Sequence, residues 1–471
     1  MIKLNIIFLL GISSLVLTAM NSCQSPDTTK EKNLATTAKV KLATLDPGHF
    51  HAALVQKTMY PGIDTVVAIY GPDGPELKAH LSLIEQYNNR KENPTHWIER
   101  LYAGPDFLQK MKDNKSENVV VIAGNNGRKA DYIQQSIAAG FDVLADKPMI
   151  IQAKDFDLLV KDFENARQQK TLLYDIMTER SEITNILQRE LSQSPEVFGT
   201  LQKGSPKDPA FVIESVHYFY KNVSGKTLTR PWWFFDPLQQ GEAIADVATH
   251  LIDLVQWECY PEVAIDYKKD IIISSAKTWP SPVTRSQFSA ITKINSFPEA
   301  LKAYIKSDSI LQVKGNGEIN YSLKDTHVKL IARWDYQAAP RSGDTHYSLM
   351  KGTVANLEIK QGSEEGFQPT LYIKPVKNDS AYSIALEKVI VELQKKYAGI
   401  GKEKTKSGWK LIIPATFKVG HEAHFGQVMD RFLQYFETKQ LPVWEVPCML
   451  AKYYTSTKAL EIAQSTENTR K

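Results

Sequence analysis

The sequence contains few cysteines and little net charge. Three cysteines occur among 471 residues, and Cys259 and Cys448 stand too far apart to give the ligand spacing of a metal site. We expect both to be buried small hydrophobic residues. The formal net charge is only +4, without a dense basic stretch, which argues against nucleic acid as a partner.

The sequence also lacks an apolar run that would span a bilayer comfortably. The run from Ile6 to Met20 follows a lysine and has the length of a signal peptide. It ends just before Cys23, in a context similar to a bacterial lipobox. We expect a lipoprotein signal peptide over residues 1–22, a lipid on Cys23 and a polar tether over residues 23–39. The alternative is an ordinary cleaved signal with an incidental cysteine.

A lipid on Cys23 would be the only membrane attachment of the mature chain. We therefore expect the protein in the periplasm or at the outer membrane. Its apolar content of 42% is typical of a globular protein, and 471 residues are too many for one core, so two domains are expected. The 8 Trp and 20 Tyr suit a carbohydrate-binding pocket, although hydrophobic cores use the same residues.

Apolar strands alternate with helices from Val40 onwards. The predicted strands are continuous apolar runs that end in turns: Lys41–Leu45, Thr65–Tyr70, Val119–Ala123 and Phe141–Ala145. This pattern predicts a parallel sheet that is covered on both faces and binds ligands at its carboxyl edge. From about Ile271 to Lys374 the residues alternate, which predicts a mixed or antiparallel sheet. We expect domains over residues 40–150 and 151–415, followed by C-terminal helices over 416–471.

The turn after the first strand departs from the usual dinucleotide-binding turn. Of the three glycines in the pattern G-x-G-x-x-G, only the middle one, Gly48, is present. The side chains of His49 and His51 could donate hydrogen bonds to a phosphate in place of backbone groups. Further candidates for cofactor contacts follow the second and third predicted strands: Asp73, Gly124, Asn125 and Asn126.

Two motifs further along the chain carry a family resemblance. Asp146-Lys147-Pro148 closes a stretch that resembles the G-x-x-V-x-x-E-K-P motif of the Gfo/Idh/MocA oxidoreductases, with Asp in place of Glu. The predicted helix Glu242–Trp257 resembles the family's G-G-x-x-x-D-x-[AG]-x-H-x-x-D helix. Asp246 and His250 are four residues apart there, so we expect the carboxylate to lie beside the imidazole on one helix face. The C-terminal region also looks like that of a bacterial branch of these oxidoreductases.

The resemblance implies an α/β protein with an N-terminal Rossmann domain and a C-terminal α/β domain that contains a large mixed or antiparallel sheet. It implies NAD or NADP as cofactor, in contact with Asp146 and Lys147, and a small-molecule sugar or glycoside as substrate. Lys147, Asp246 and His250 match positions that line the family's substrate pocket, so we expect them to be the catalytic residues. The family's usual assembly implies a homodimer. Weaker candidates for sugar binding are Arg180, His217, Tyr218, Trp232 and Trp233.

Several functions stay open on the sequence. A periplasm offers no free NAD(H) pool, so a secreted oxidoreductase must hold its cofactor tightly and regenerate it within one cycle. Coupled oxidation and reduction of two sugars would do so, as would a glycosidase that oxidises its substrate transiently. The alternative is a non-redox carbohydrate-binding lipoprotein on the same scaffold. Two histidine pairs could suggest a metal site: His49 with His51, and His421 with His424. We expect no metal site, because neither pair has an accompanying acidic ligand in the sequence pattern.

Overall fold

The computed structural model describes residues 40–223, 226–307, 309–340 and 342–469. The predictions of a signal peptide, of a lipid on Cys23 and of a tether lie outside these residues. No helix within the described ranges is long and apolar enough to cross a membrane.

A six-stranded parallel sheet forms the N-terminal part of the fold. Its strands are β1 (Leu42–Leu45), β2 (Val66–Gly71), β3 (Ile98–Ala103), β4 (Val119–Ile122), β5 (Asp142–Asp146) and β6 (Leu173–Ile176). The spatial order is β3-β2-β1-β4-β5-β6, so the winding of the chain reverses between β1 and β4. In such sheets this switch point opens a ligand crevice at the carboxyl edge. The predicted Rossmann fold of the N-terminal part is therefore confirmed, and its sheet extends through β6, beyond the predicted boundary at residue 150.

Helices cover both faces of this sheet, so its central strands β1 and β4 are buried at every residue. They are α1 (His51–Val55), α2 (Pro75–Asn89), α3 (Phe107–Asp113), α4 (Asn126–Ala138) and α5 (Phe156–Gln169). The sequence pattern did not predict β3. That strand lies at the sheet edge with four of its six residues exposed, and its sequence Ile-Glu-Arg-Leu-Tyr-Ala lacks a continuous apolar run.

A large mixed sheet forms the second part. Its strands are β7 (Phe211–Tyr220), β10 (Ile271–Thr284), β11 (Ile305–Lys306), β12 (Ile310–Leu323), β13 (Thr326–Gln337), β14 (Thr345–Lys351), β15 (Ala355–Lys360), β16 (Thr370–Pro375), β17 (Gly401–Thr405) and β18 (Gly408–Ile412), while β8 (Asn222–Val223) and β9 (Lys226–Thr227) form a separate hairpin. The β7 strand pairs in parallel with β13 and antiparallel with β14. The predicted α/β fold class with a large mixed sheet is confirmed.

The helices of the second part include one that the site depends on. They are α6 (Ile183–Ser192), α7 (Val247–Cys259), α8 (Arg285–Thr292), α9 (Ser380–Lys396), α10 (His421–Thr438) and α11 (Glu445–Thr469). The α7 helix begins at Val247 and not at the predicted Glu242, because residues 243–246 form turns. Almost all of its side chains are buried.

The two C-terminal helices return to the first sheet. Phe425 and Phe432 of α10 belong to the hydrophobic core of that sheet. On α11, the ammonium of Lys452 is fully buried and lies 2.6 Å from the Asp175 carboxylate of β6 and 2.8 Å from the Asp253 carboxylate of α7. Buried charges are tolerated only when they are paired, so this network fixes α7 relative to the first sheet.

Candidate functional site

A cavity of about 380 Å³ lies at the carboxyl edge of the first sheet. The turns after β1 and β5 form one side, and residues of α7, β7 and the start of α10 form the others. Seven of the ten histidines of the chain line it: His49, His51, His217, His250, His346, His421 and His424. Imidazoles exchange protons and bind metals near neutral pH, so this cavity is the candidate active site.

Lys147 and Asp246 form an ion pair in the cavity wall. Lys147 follows β5 and donates from Nζ to Oδ1 of Asp246, 2.6 Å away, while Gln240 donates to the other carboxylate oxygen at 3.0 Å. Burial alone would raise the pKa of Asp246, but the Lys147 ammonium and these hydrogen bonds lower it to about 2. The carboxylate therefore stays charged and holds Lys147 at the sheet edge.

His250 lies on α7, one turn after Asp246, and lines the same cavity. Burial and the nearby charge of Lys147 lower its pKa to about 3, so the imidazole is neutral. Its Nδ1 atom has no hydrogen-bond partner among the described residues. The predicted pairing of Asp246 with His250 is therefore wrong. The spacing argument assumed that both residues lie within the helix, whereas Asp246 precedes its first turn.

His49, His51 and Asp146 form a compact cluster in the same cavity. Nδ1 of His51 lies 2.9 Å from Oδ2 of Asp146, and Nδ1 of His49 lies 4.0 Å from the same oxygen. Burial lowers the pKa of both histidines well below the usual value, so both imidazoles are neutral. The two rings are edge to face, with centroids 4.1 Å apart.

Two carboxylates and two imidazoles form another part of the cavity wall. Oε1 of Glu179 lies 3.4 Å from Nδ1 of His421, and Glu182 lies 3.9 Å from Nε2 of His424. Burial and the neighbouring Glu179 carboxylate raise the pKa of Glu182 to about 7. Glu182 can therefore exchange a proton near neutral pH, which suits a general acid or base.

A further carboxylate lines the cavity near β7. Asp344 lies 3.1 Å from Nδ1 of His217 and 2.7 Å from Nζ of Lys221. Burial would raise the pKa of Asp344, but these two partners lower it. The sequence predicted His217 but missed Asp344, Glu179 and Glu182. Glu179 and Glu182 lie in the segment after β6 and Asp344 in the segment before β14, without a motif, so their convergence is visible only in three dimensions.

The turn after β1 packs tightly against the turn after β4. A Cβ atom on Gly124 would lie 2.1 Å from the carbonyl oxygen of Asp46, so only glycine allows this approach. The N–H of Gly48 donates to the Asp46 carbonyl at 2.7 Å, and the N–H of His49 donates to the Ala123 carbonyl at 3.1 Å. These two N–H groups therefore already have acceptors within the protein.

Five of the predicted cofactor-binding residues line the cavity: His49, His51, Asn126, Asp146 and Lys147. The other four lie outside its lining: Gly48, Asp73, Gly124 and Asn125. Trp233 packs over Gly48, with its Cζ2 atom 3.1 Å from where a Cβ would stand. The Asp73 carboxylate is 72% exposed and lies 3.6 Å from the Lys78 ammonium.

Of the residues predicted to bind sugar, His217 lines the cavity, whereas four do not: Arg180, Tyr218, Trp232 and Trp233. The guanidinium of Arg180 is buried and lies 2.6 Å from the Asp253 carboxylate and 2.9 Å from that of Glu445. Its five donors suit such a double pairing, which joins α7 to α11. Arg230 and Phe234, from the predicted Trp-rich loop, line the cavity instead.

Each of the two parts of the chain matches a known protein family. Residues 46–174 match the family described as "Oxidoreductase family, NAD-binding Rossmann fold". Residues 187–464 match the family described as "Putative oxidoreductase C terminal domain". Among curated proteins, none matches the chain significantly.

Solved structures agree with these matches. A "putative oxidoreductase" from Parabacteroides merdae ATCC 43184 is 48% identical, with a TM-score of 0.88, over 91% of this chain and 98% of its own. Levoglucosan dehydrogenase in complex with NADH and L-sorbose is 13% identical, with a TM-score of 0.56, over 91% of this chain and 97% of its own. A "putative myo-inositol dehydrogenase" from Sinorhizobium meliloti 1021 is 11% identical, with a TM-score of 0.53, over 91% of this chain and 98% of its own. The last two share the fold. The family matches and the 48% identity show that the chain belongs to the Gfo/Idh/MocA oxidoreductases, with the family's NAD-binding Rossmann fold followed by its oxidoreductase C-terminal domain.

Proposed function

We propose that the chain is an NAD(P)-dependent oxidoreductase that acts on a hydroxyl group of a sugar or glycoside. The observation that carries this proposal is the pairing of Lys147 with Asp246 at 2.6 Å, in the same cavity as the neutral imidazole of His250. A substrate hydroxyl needs a donor that holds its oxygen and an acceptor for its proton, and this set offers both.

The cavity is suited to a ligand with many hydroxyl groups. Seven buried side-chain atoms in its wall have no hydrogen-bond partner among the described residues: Nδ1 of His250, Nε2 of His346, Oδ1 of Asn185, Oε1 of Gln240, Oδ1 of Asp344, and Nδ1 and Nε2 of His424. Unpaired buried polar atoms are costly, so a ligand that satisfies them gains affinity. Sugar hydroxyls donate and accept hydrogen bonds, and a volume of about 380 Å³ accommodates a small sugar.

The residues at the sheet edge fit the nicotinamide half of the cofactor. Lys147 lines the cavity together with the imidazoles of His49 and His51, which offer N–H donors to ribose or phosphate oxygens. The backbone N–H groups of Gly48 and His49 have acceptors within the protein, so the pyrophosphate would depend on these side chains. When bound, the nicotinamide supplies the hydride acceptor or donor.

Each catalytic residue has a distinct part. Asp246 holds the Lys147 ammonium, which donates a hydrogen bond to the oxygen of the reacting hydroxyl. The neutral imidazole of His250 accepts the proton of that hydroxyl during oxidation and returns it during reduction. Glu182, with a pKa of about 7, exchanges protons between this cavity and solvent.

The first test is to identify what the purified protein carries. We would denature the protein without added nucleotide and analyse the released molecules by mass spectrometry and ultraviolet absorbance. Near-stoichiometric NAD(H) or NADP(H) supports the proposal. The Lys147→Met variant should then lose sugar-dependent change in nicotinamide absorbance, while the matched Lys277→Met variant on an exposed strand position should keep it.

A protein that stays empty after incubation with both nucleotides would overturn the redox proposal. The second candidate, a non-redox carbohydrate-binding protein, would then stand first. The internal hydrogen bonds of the Gly48 and His49 N–H groups favour it, because they occupy the donors that a pyrophosphate normally uses. Calorimetric binding of sugars without any nucleotide would support this candidate.

The predicted location adds a constraint on the reaction. We propose that Cys23 carries a lipid and that the protein acts in the periplasm or at the outer membrane, where free NAD(H) is scarce. The cofactor would then be regenerated within one cycle, either by coupled oxidation and reduction of two sugars or by transient oxidation of a glycoside during its cleavage. A Cys23→Ala variant that remained in the membrane fraction would contradict the lipid anchor.

A further inference from the structure

We propose that His49, His51 and Asp146 bind a divalent transition-metal ion in the cavity. Two imidazole nitrogens and a carboxylate oxygen of these residues all lie within 4.8 Å of one another. A metal that binds two such donors at about 2.0–2.2 Å brings them roughly 3 Å apart, so only small side-chain movements are needed. The sequence pattern lacked an acidic ligand for the two histidines, and the fold supplies it from the end of β5.

The chemistry of the donors selects the class of ion. Two imidazoles with one carboxylate suit Zn²⁺, Co²⁺, Fe²⁺ or Mn²⁺, whereas Ca²⁺ and Mg²⁺ prefer an all-oxygen set. Each imidazole offers one ring nitrogen to a metal, and the candidate ligand atoms of His49, His51 and Asp146 already face one another within 4.8 Å. His49 and His51 are held on one short turn and helix, which fixes two ligands two residues apart.

The surroundings of Asp146 also favour a cation. Asp146 is only 4% exposed, and the partners of its carboxylate among the described residues are the imidazoles of His49 and His51. The nearby ammonium groups are engaged elsewhere. Lys129 donates to the backbone carbonyl of Asp146 at 2.7 Å, and Lys147 donates to Asp246 at 2.6 Å. A buried carboxylate without a direct cationic partner is costly, and a metal ion would provide one.

The position of this site gives it access to a ligand. All three residues line the cavity that also contains Lys147 and His250. Three protein ligands leave at least one coordination position open, as in catalytic metal sites. We therefore expect that position to take water or an oxygen atom of the molecule that occupies the cavity.

The test measures metal binding alone, so it does not depend on the oxidoreductase proposal. The purified chain would be stripped with a chelator and titrated with Co²⁺ and Zn²⁺, without nucleotide or sugar. Calorimetry should show one tight equivalent, and Co²⁺ should give the visible absorption bands of a low-symmetry site with nitrogen ligands. The Asp146→Asn variant preserves side-chain shape and should weaken binding about 100-fold or more, by analogy with the cost of disturbing a metal site.

Control variants separate this site from other sources of binding. His49→Ala should weaken Co²⁺ binding like Asp146→Asn, whereas His96→Ala, at an exposed position outside the cavity, should leave it unchanged. Melting curves in chelator would verify that each variant is folded. The absence of a stoichiometric metal in the parent protein would overturn the proposal, as would full binding by folded His49→Ala and Asp146→Asn variants.

Discussion

The carboxylate of Asp246 lies 2.6 Å from the ammonium of Lys147, and this contact joins the end of β5 to the start of α7. The two side chains are separated by 99 residues in sequence and are only 5% and 10% exposed. The orientation of Lys147 therefore depends on where α7 begins. The buried network of Lys452, Asp175 and Asp253 holds that helix against the first sheet, so it supports the site from a distance.

The Asp246→Asn variant tests this relationship. The amide keeps the size of the side chain but removes the charge that holds the Lys147 ammonium. We expect kcat/KM for sugar-dependent nicotinamide reduction to fall by roughly 10²–10⁴-fold, the usual range for a positioned proton-handling group. The measurement is initial rates with any sugar that the parent protein oxidises.

A matched control is Asp335→Asn, which changes a carboxylate that does not line the cavity. It should retain the parent rate. Equal rates for Asp246→Asn and the parent protein would contradict the assigned role. If Asp246→Asn lowered the melting temperature without lowering kcat/KM, the ion pair would contribute to stability and not to catalysis.

The first domain was largely predictable because the local apolar pattern of a strand also indicates where that strand lies, in a sheet that is buried on both faces. Runs such as Val119–Ile122 are apolar at every residue, which only a strand buried on both faces requires. Because the ends of parallel strands meet at one edge, the sequence also placed His49, Asp146 and Lys147 close together. The structure brings all three into one cavity.

The rest of the site depends on contacts that a single sequence does not encode locally. The predicted pairing of Asp246 with His250 was wrong because the four-residue helical spacing was applied across the point where α7 begins. Glu179 and Glu182, from the segment after β6, meet Asp344, from the segment before β14, in the cavity. Arg180 follows β6 at the sheet edge, yet it turns into the protein because Asp253 and Glu445 compensate its charge there.

Replacing Arg180 by methionine should destabilise the fold. The change leaves the Glu445 carboxylate buried without its guanidinium partner and removes one of the two cations that face Asp253. Breaking a buried ion pair of this kind costs about 3–5 kcal/mol of unfolding free energy. Urea denaturation followed by circular dichroism measures the change. The Arg167→Met control removes an exposed pair with Glu164 and should not shift the midpoint. An unchanged midpoint for Arg180→Met would show that the network contributes little.

A side chain at Gly124 should disturb the switch point of the first sheet. The Cβ atom of an alanine would lie 2.1 Å from the Asp46 carbonyl oxygen, so the turns after β1 and β4 would have to separate. Overpacking of this kind costs about 1–3 kcal/mol, and we expect a lower melting temperature and weaker nucleotide binding for Gly124→Ala. Gly62→Ala is the matched control, because nothing lies within 4 Å of its added Cβ. Identical melting of both variants would contradict the steric argument.

The carboxyl group of Glu182 makes the stability of the fold depend on pH. Its pKa is raised from 4.5 to about 7 in the folded protein, first by burial and then by the Glu179 carboxylate. Between these two pH values the folded state retains a proton that the unfolded state releases. The contribution of Glu182 to stability is therefore fully present below about pH 4.5 and is lost as the pH rises through about 7, by at most about 3 kcal/mol.

The Glu182→Gln variant removes this dependence, because the amide is neutral at every pH. We expect the unfolding free energy of the variant, relative to the parent, to increase between about pH 4.5 and about pH 8. Urea denaturation at both pH values measures this difference, and Glu92→Gln, at an exposed position, should show no such trend. The variant could also lose the hydrogen bond that the Thr184 N–H donates to Glu182, but that loss would lower its unfolding free energy equally at both pH values. An increase with pH in the difference between variant and parent therefore indicates the raised pKa of Glu182. A difference that stays constant across the range would mean that Glu182 ionises near its ordinary pKa, and then it could not exchange protons with the cavity near neutral pH.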